Sequence, residues 1–324
     1  MKPPDNDRAL ERWLAALDER HLADLTPAEA ARALRALSSC YVERRAKLQT
    51  GGALDRPGKR AAFALFYAPV HFLVTRHIVR ALGDEALKVE RITDLGCGTG
   101  AAGAAWGLEI GRSLPPKGGS HWSEGLPEGG SHWSEGPPQG RSHWREGPPQ
   151  GGSHRSEGPP EGGSHGGAGG VRVAGVDRHP WAVAEANWTY RTLGIRGRAT
   201  QGDIGRVPLH VRPGTGLIAA YAVNEVSGEA RDRLLPQLVS AHERGAHVLI
   251  VEPIARRMAG WWTEWAARFG ARGGRSDEWR FAVELPRRQR DLARAAGLDP
   301  RELTARSLFL AAGKNSASSA QSTA

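Results

Sequence analysis

The sequence predicts an α/β protein: a doubly wound, mostly parallel β-sheet, with an N-terminal helical region and a disordered repeat insert. Two observations predict this fold class. Early in the chain the apolar residues recur at helical spacing, and later short β-rich apolar runs alternate with helical stretches. After the first of these strands and its helix, an eleven-residue segment rich in Gly and Pro is repeated several times. With 324 residues and 40% hydrophobic content, the chain can bury a sizeable core.

We divide the chain accordingly into a helical region, an α/β domain and a tail. The helical region covers residues 1–85, and the α/β domain covers 86–313, interrupted by the repeats of 114–169. Residues 314–324 are predicted to be a disordered tail, because this segment offers nothing apolar to bury.

Three helices are predicted in the N-terminal region. The first shows helical spacing at Leu10, Trp13, Leu14 and Leu17. The second begins at "TPAE", where Thr26 caps the helix and Glu29 closes a capping box. The third lies in "FALFYAPVHFLVTRHIVRAL" and is expected to kink or restart at Pro69, which lacks a backbone N–H.

The α/β domain begins with a strand that ends at "DLGCGTG". The runs "VRVAGVD", "GLIAAYAV" and "HVLIVEP" follow, and each ends in a polar or acidic residue. This alternation of apolar strands with helices predicts a parallel sheet covered by helices on both faces. Later, "EWRFAVEL" and "ARSLFLAAG" predict an antiparallel pair, with "RRQRDLARAAG" as a helix between them.

Composition points to a soluble cytoplasmic protein. The start "MKPPDNDRALERW" does not have the order of a secretion signal, and the most apolar stretch, "AAFALFYAPVHFLV", is too short to span a bilayer. We therefore expect no membrane partner. Two cysteines fit a reducing compartment and cannot build a metal or iron–sulfur site by themselves. The net charge of +9 suggests an acidic partner such as nucleic acid, although the bias towards Arg, Ala, Gly and Pro is equally typical of GC-rich coding.

The glycine-rich turn after the first strand predicts a ligand site. Gly96, Gly98 and Gly100 allow a sharp turn and a close approach of backbone to ligand. The stretch from Gly98 to Gly103 also matches the G-x-G-x-x-G fingerprint of dinucleotide sites. Asp94 argues against a dinucleotide, because its carboxylate would face a pyrophosphate, and favours a cationic ligand.

The segments "DLGCGTG" and "VAGVDRHPWAVAEAN" resemble motifs I and II of class I S-adenosylmethionine-dependent methyltransferases, which have a Rossmann-like fold. The similarity covers roughly residues 88–313 apart from the repeats. It implies that the cofactor is S-adenosylmethionine, with Asp94 and the three glycines at the turn. It further implies that Asp177 holds the ribose hydroxyls and that Asp203 and Ile204 flank the adenine.

The end of the fourth strand, "LIAAYAVNEVSG", is where the acceptor should meet the methyl group. It is not "NPPY", which disfavours methylation of amino groups of bases and glutamine. "AYAVNEV", "VLIVEP" and "ELPRRQRDLARAAG" resemble the methyltransferase-like family associated with the small ribosomal subunit, but this chain lacks that family's iron–sulfur cysteines. This resemblance implies ribosomal RNA or the small ribosomal subunit as partner. By position in the strand order, Asn224 and Glu225 are the candidate catalytic residues. A small-molecule or protein methyltransferase, with the N-terminal helices as a lid, and a non-catalytic cofactor-binding assembly factor stay open as alternatives.

We interpret the repeat as an insertion that takes no part in the function of the protein. Its period is eleven, and Pro and Gly in every copy exclude a supercoiled helix. It falls in a helix-to-strand connection, on the rim of the sheet opposite the ligand. No metal site is predicted, since nothing fixes the geometry of its histidines.

Three other features receive structural interpretations. Core packing is assigned to an aromatic helical stripe and to two histidines of the apolar helix: Trp261, Trp265, Phe269, His71 and His77. The run Arg287–Arg290 is interpreted as a solvated face, with contact to phosphate as the alternative.

Overall fold

The computed structural model describes residues 5–23, 25–43, 54–113, 170–254, 260–282, 284–298 and 302–313, without the side chains of residues 5, 6 and 40–43. All of them belong to one compact unit. The predictions for the repeats of 114–169 and for the tail of 314–324 lie outside the described residues.

Helices form the N-terminal part. They are α1 (Asp5–His21), α2 (Pro27–Glu43), α3 (Pro57–Ala62), α4 (Ala68–Leu82) and α5 (Asp84–Leu87), with a π-helical turn, Phe63–Tyr67, between α3 and α4. The capping box at the start of α2 is confirmed. The backbone N–H of Thr26 donates to Glu29 at 2.9 Å, and the N–H of Glu29 donates to the Thr26 hydroxyl at 3.3 Å.

The sheet follows in seven strands alternating with helices. The elements are β1 (Arg91–Leu95), α6 (Ala101–Ser113), β2 (Arg172–Asp177), α7 (Pro180–Thr192), β3 (Arg196–Gln201), β4 (Thr215–Ala220), α8 (Gly228–Glu243), β5 (His247–Glu252), α9 (Trp261–Gly270), β6 (Arg275–Phe281), α10 (Arg287–Ala295) and β7 (Leu303–Leu310). The spatial order is β3-β2-β1-β4-β5-β7-β6, parallel except for β7, which pairs antiparallel with β5 and β6. The doubly wound, mostly parallel sheet and its final antiparallel pair are confirmed.

The apolar helix runs without a break through Pro69. The chain is helical over the 26 residues Pro57–Leu82, and by length and composition this helix could cross a membrane. However, 72% of its most apolar 18-residue segment is buried inside the protein. The expectation that this stretch is too short was therefore wrong. The expected kink at Pro69 is instead the π-helical turn before it. Pro69 has no N–H to give to the carbonyl of Leu65, and the buried Gln289 side chain donates to that carbonyl at 2.8 Å.

Buried carboxylates tie the helical region to the sheet layers. Glu185 of α7 is fully buried and accepts from Arg20 at 3.1 Å, with the His21 ring nitrogen at 2.8 Å, which fixes the end of α1. Glu109 of α6 accepts two hydrogen bonds from Arg80 of α4, at 2.8 and 2.9 Å. Charges this deeply buried have to be paired, so these contacts determine where the N-terminal helices pack.

The two halves of the sheet differ in how they are covered. Every residue of β4 and β5 is buried, as expected of strands between two helical layers. In β2 and β3 alternate residues are exposed. The prediction of helices on both faces was therefore wrong for this edge. The physical reason is that residues 202–214, all of them described, lead from β3 to β4 without forming a helix.

Candidate functional site

A cavity of about 320 Å³ lies at the carboxyl ends of the parallel strands. The turn after β1, the end of β2 and the loop after β3 line one part of it, and the ends of β4 and β5 line another. Residues of the π-helical turn and α4 form the facing wall. A position outside the carboxyl ends of the strands is where doubly wound sheets bind ligands.

The three predicted glycines all have positive φ angles, but for different reasons. Gly96 has φ 71°, and a Cβ there would lie 2.5 Å from the Cβ of Ala222. Gly98 has φ 52° and lines the cavity. Gly100 has φ 77° and does not line the cavity; a Cβ on it would lie 2.7 Å from the Tyr190 ring. The expected ligand contact is therefore corrected for Gly100, which lets the turn pack closely on α7.

Asp94 lies behind the turn rather than in the cavity. It is 1% exposed, and its Oδ2 accepts the backbone N–H of Gly103, in the first turn of α6, at 2.9 Å. Burial raises the pKa of this carboxyl to about 7. Direct contact with a cationic ligand was therefore the wrong expectation for Asp94. Its carboxylate occupies the helix N-terminus where a dinucleotide site would bind pyrophosphate.

Asp177, Asp203 and Ile204 do come together at the cavity. Asp177 Oδ2 accepts the N–H of Gly98 at 2.9 Å, and Oδ1 accepts the N–H of His179 at 2.8 Å. Asp203 follows β3, and Ile204 presents a buried apolar side chain next to it. A carboxylate therefore stands directly in front of the glycine turn, at the position where a phosphate would be repelled.

Asn224 and Glu225 line the cavity from a 3₁₀ turn, Val223–Glu225, that follows β4. Asn224 is held at both ends of its side-chain amide. Its Nδ2 donates to Glu252 Oε2 at 2.6 Å, and its Oδ1 accepts from Trp261 Nε1 at 3.1 Å. The turn therefore presents Asn224 in one fixed orientation.

Sequence reasoning missed Glu252. This residue ends β5, is fully buried, lines the cavity, and accepts the backbone N–H of Asn224 at 3.1 Å. Burial raises its pKa to about 7. The signal was present in "VLIVEP", where an apolar strand ends in an acid at the carboxyl edge of the sheet.

An aromatic wall faces this turn. The rings of His71 and Tyr221 stack at 3.8 Å with 9° between their planes, and Phe63 and Tyr67 adjoin His71. Tyr221 has φ 59°, a conformation that a tyrosine rarely adopts. Burial lowers the pKa of His71 to about 3 and raises that of Tyr221, so the stack is neutral at physiological pH. Interpreting His71 as a core or boundary residue was incomplete, since it lines the cavity.

The remaining predictions have mixed outcomes. Trp265 and Phe269 are core residues as expected, whereas Trp261 reaches the site through Asn224. The run Arg287–Arg290 is bound in ion pairs, of which the pair between Arg288 and Asp18, at 3.0 Å, reaches α1. Among the described residues, no group of three or more His, Cys, Asp or Glu is placed to hold a metal ion.

No protein-family model matches this chain, and no curated protein matches it. Among solved structures it is similar to a SAM-dependent methyltransferase from Aquifex aeolicus, with 13% identity and a TM-score of 0.39, covering 82% of this chain and 96% of that one. A TehB-like SAM-dependent methyltransferase from Corynebacterium glutamicum is similar with 13% identity and a TM-score of 0.36, covering 85% and 98%. The [4+2]-cyclase SpnF is similar with 13% identity and a TM-score of 0.38, covering 74% and 81%. At such values the reaction has to be inferred from the site itself.

Proposed function

We propose that this protein is an S-adenosylmethionine-dependent methyltransferase. The observation that supports this most is the combination of Asp94 and Asp177 around the glycine turn. One carboxylate occupies the N–H of Gly103 at the start of α6, and the other occupies the N–H of Gly98. Both N–H groups are donors that a dinucleotide would need for its pyrophosphate. The site therefore fits a nucleoside that carries positive charge and no phosphate.

The cavity residues suit such a cofactor. Asp177 ends β2 with acceptor capacity left for a ribose diol, since each carboxylate oxygen can accept two hydrogen bonds. Ile204 provides an apolar surface for a purine, and Asp203 next to it can accept from an amino group. When bound, the cofactor supplies an electrophilic methyl group on its sulfonium.

The chain's own contribution to transfer is orientation, together with a base if the acceptor has to lose a proton. The turn that carries Asn224 and Glu225 faces the cavity and is fixed by the buried Glu252. We assign the proton-accepting role to Glu225 and an orienting role to Asn224. The neutral aromatic wall of Phe63, His71 and Tyr221 would exclude water from the acceptor side.

The acceptor that we propose, on the sequence resemblance and the net charge of +9, is ribosomal RNA or a ribosome-associated substrate in the cytoplasm. Incubation with methyl-labelled S-adenosylmethionine and a cell extract, followed by separation of RNA, protein and metabolites, tests this assignment. Label in RNA or in ribosomal proteins supports it, and label confined to other proteins or to metabolites contradicts it.

Cofactor identity is tested by calorimetry with S-adenosylmethionine, S-adenosylhomocysteine and NAD. We expect binding of the first two, and binding of NAD alone would refute the proposal. Asp177→Ala should weaken binding by about 1 to 3 kcal/mol, because hydrogen bonds from the ribose to a charged group are lost. The matched control is Asp232→Ala, an exposed carboxylate on α8, which should bind like the wild type.

A further inference from the structure

One face of the β1–β2–β3 part of the sheet is open to solvent. Its residues alternate with buried ones along each strand: Arg91 and Thr93 on β1, Arg172 and Ala174 on β2, and Arg196, Arg198 and Thr200 on β3. The β2 and β3 members of this set are exposed, and the two on β1 are half-buried. We call these seven residues the open face.

The open face is unusual for its place in the fold. Strands of a parallel sheet are normally buried on both faces, as β4 and β5 are here. Sheet residues that pack against another protein segment are commonly Val, Ile or Leu, as Leu95 and Val176 are where this side of the sheet becomes buried at the carboxyl ends of β1 and β2. The seven residues of the open face include none of these three types. Their side chains are guanidinium groups, two hydroxyls and one methyl. Such a surface suits a hydrated, charged partner and not an apolar one.

The arginines of the open face are aligned in the strand register. Arg172 pairs with Arg91 on one side and with Arg196 on the other, so three cations lie in a row at about 4.8 Å between strands. Arg198 lies two residues further along β3, on the same face, opposite Ala174. Like charges placed directly opposite each other destabilise a sheet. An arrangement that costs stability in the free protein is explained if an anion neutralises it.

Three of the four arginines of the open face have no acidic partner among the described residues, and the fourth, Arg91, has a distant one. Arg91 has Glu90 at 3.6 Å. Arg172, Arg196 and Arg198 form no ion pair with any described residue. By contrast, the run Arg287–Arg290, which the sequence offered for phosphate contact, is already paired within the protein. The unpaired positive charge of this molecule therefore includes a patch on the open face.

We propose that the open face binds the phosphate backbone of a nucleic acid strand. The planar guanidinium group of an arginine can donate two parallel hydrogen bonds to the oxygens of one phosphate. The hydroxyls of Thr93 and Thr200 are further donors to phosphate oxygens. A polyphosphate backbone supplies negative charge at the close, regular spacing that three adjacent cations require. The surface has no aromatic side chain, so it holds the strand through its backbone and reads no base. This proposal does not depend on methyl transfer, since the open face is separate from the cavity.

The test is fluorescence anisotropy of a labelled 20-nucleotide oligouridylate with the full chain, across a series of KCl concentrations. We expect Arg172→Gln/Arg196→Gln/Arg198→Gln to weaken binding at least tenfold at low salt. It should also reduce the slope of log affinity against log salt by about 2, at about 0.7 for each lost contact on a single strand. The single variant Arg198→Gln should reduce the slope by about 0.7 and provides the same test should the triple variant fail to fold.

The matched control removes the same charge elsewhere. Arg233, Arg268 and Arg287 are exposed and lie 3.8 to 4.0 Å from acidic partners on their own helices. Replacing all three with Gln should change binding less than threefold. Equal loss in both triple variants would overturn the proposal, because binding would then follow net charge alone.

Two further results would also overturn it: no binding of the oligouridylate at 50 mM KCl, or displacement of the RNA by polyglutamate or phosphatidylglycerol vesicles at equal charge concentration. Calorimetry with S-adenosylmethionine on the Gln variants should give wild-type affinity. A loss confined to RNA binding therefore separates the open face from the cavity, and failure of the methyltransferase proposal would leave this result unchanged.

Discussion

Glu252 makes the stability of the protein depend on pH in a defined direction. Its carboxyl is fully buried at the end of β5, and burial raises its pKa from the ordinary 4.5 to about 7. Between these two pH values the folded state binds more protons than the unfolded state, so the free energy of unfolding falls as pH rises. At about 1.4 kcal/mol per pH unit, the full loss is about 3 kcal/mol, most of it between pH 5 and 8.

The perturbation that isolates this effect is Glu252→Gln. Glutamine cannot ionise, but its amide nitrogen cannot accept, so one of the two hydrogen bonds from Asn224 is lost, at a cost of about 1 kcal/mol. At pH 5 the variant should be less stable than the wild type by about 1 kcal/mol. At pH 8 the wild type carries a buried charge, so the variant should be the more stable protein by more than 1 kcal/mol. The two stability curves therefore cross between these pH values.

The assay is urea unfolding of both proteins at half-unit steps from pH 5 to 8.5, with the difference in free energy of unfolding plotted against pH. Asp94 also titrates near 7, but it is present in both proteins and cancels in the difference. Arg306 lowers the pKa of Glu252 through its charge, so in Arg306→Met the fall in stability should begin at the same pH, extend to higher pH and become larger. A difference that does not vary with pH, or one that favours the wild type more at pH 8 than at pH 5, would refute the reasoning.

Three further predictions concern Glu225, Gly100 of the glycine turn, and the repeats. Glu225→Gln should leave cofactor affinity intact and lower methyl transfer by about 10²-fold, and equal transfer would show that Glu225 is not the base. Gly100→Ala should destabilise by about 1 to 3 kcal/mol, because φ is 77° and the new Cβ would lie 2.7 Å from the Tyr190 ring; an unchanged melting temperature would contradict this packing. Deletion of residues 118–165 should leave S-adenosylmethionine affinity and melting temperature nearly unchanged, since the described residues that flank the insert, at the end of α6 and the start of β2, do not line the cavity; a large loss of affinity in the folded variant would contradict this.

Much of the fold could be predicted because its signals are local. The capping box at Thr26 and Glu29 involves residues three apart, and the buried strands are continuous apolar runs bounded by glycines and acids. The strand β3, "RGRATQ", shows why one face remained hidden from the sequence. Its alternating arginines indicate exposure only once the register places them beside Arg172 and the loop after β3 is seen to form no helix. Both facts depend on pairing between distant segments.

The site could be predicted in its positions but only in part in its contacts. Asp177, Asp203 and Ile204 were predicted from the motif resemblance, and the structure brings them together because the carboxyl ends of parallel strands meet at one edge. Glu252 and His71 were missed or assigned to the core, since their place at the cavity comes from packing of β5 and α4 around the turn after β4. No spacing in the sequence encodes that packing.

Asp94 shows how the structure changes the contact on which a prediction rests. From the sequence, its carboxylate excludes a dinucleotide by facing the pyrophosphate. In the structure it lies behind the turn, where it accepts the N–H of Gly103 and so occupies the start of α6. The positive end of the helix, which would favour a phosphate, is offset by a buried acid whose pKa is raised to about 7. A positively charged ligand near the turn would favour the ionised acid, so affinity for S-adenosylmethionine should rise with pH through this range.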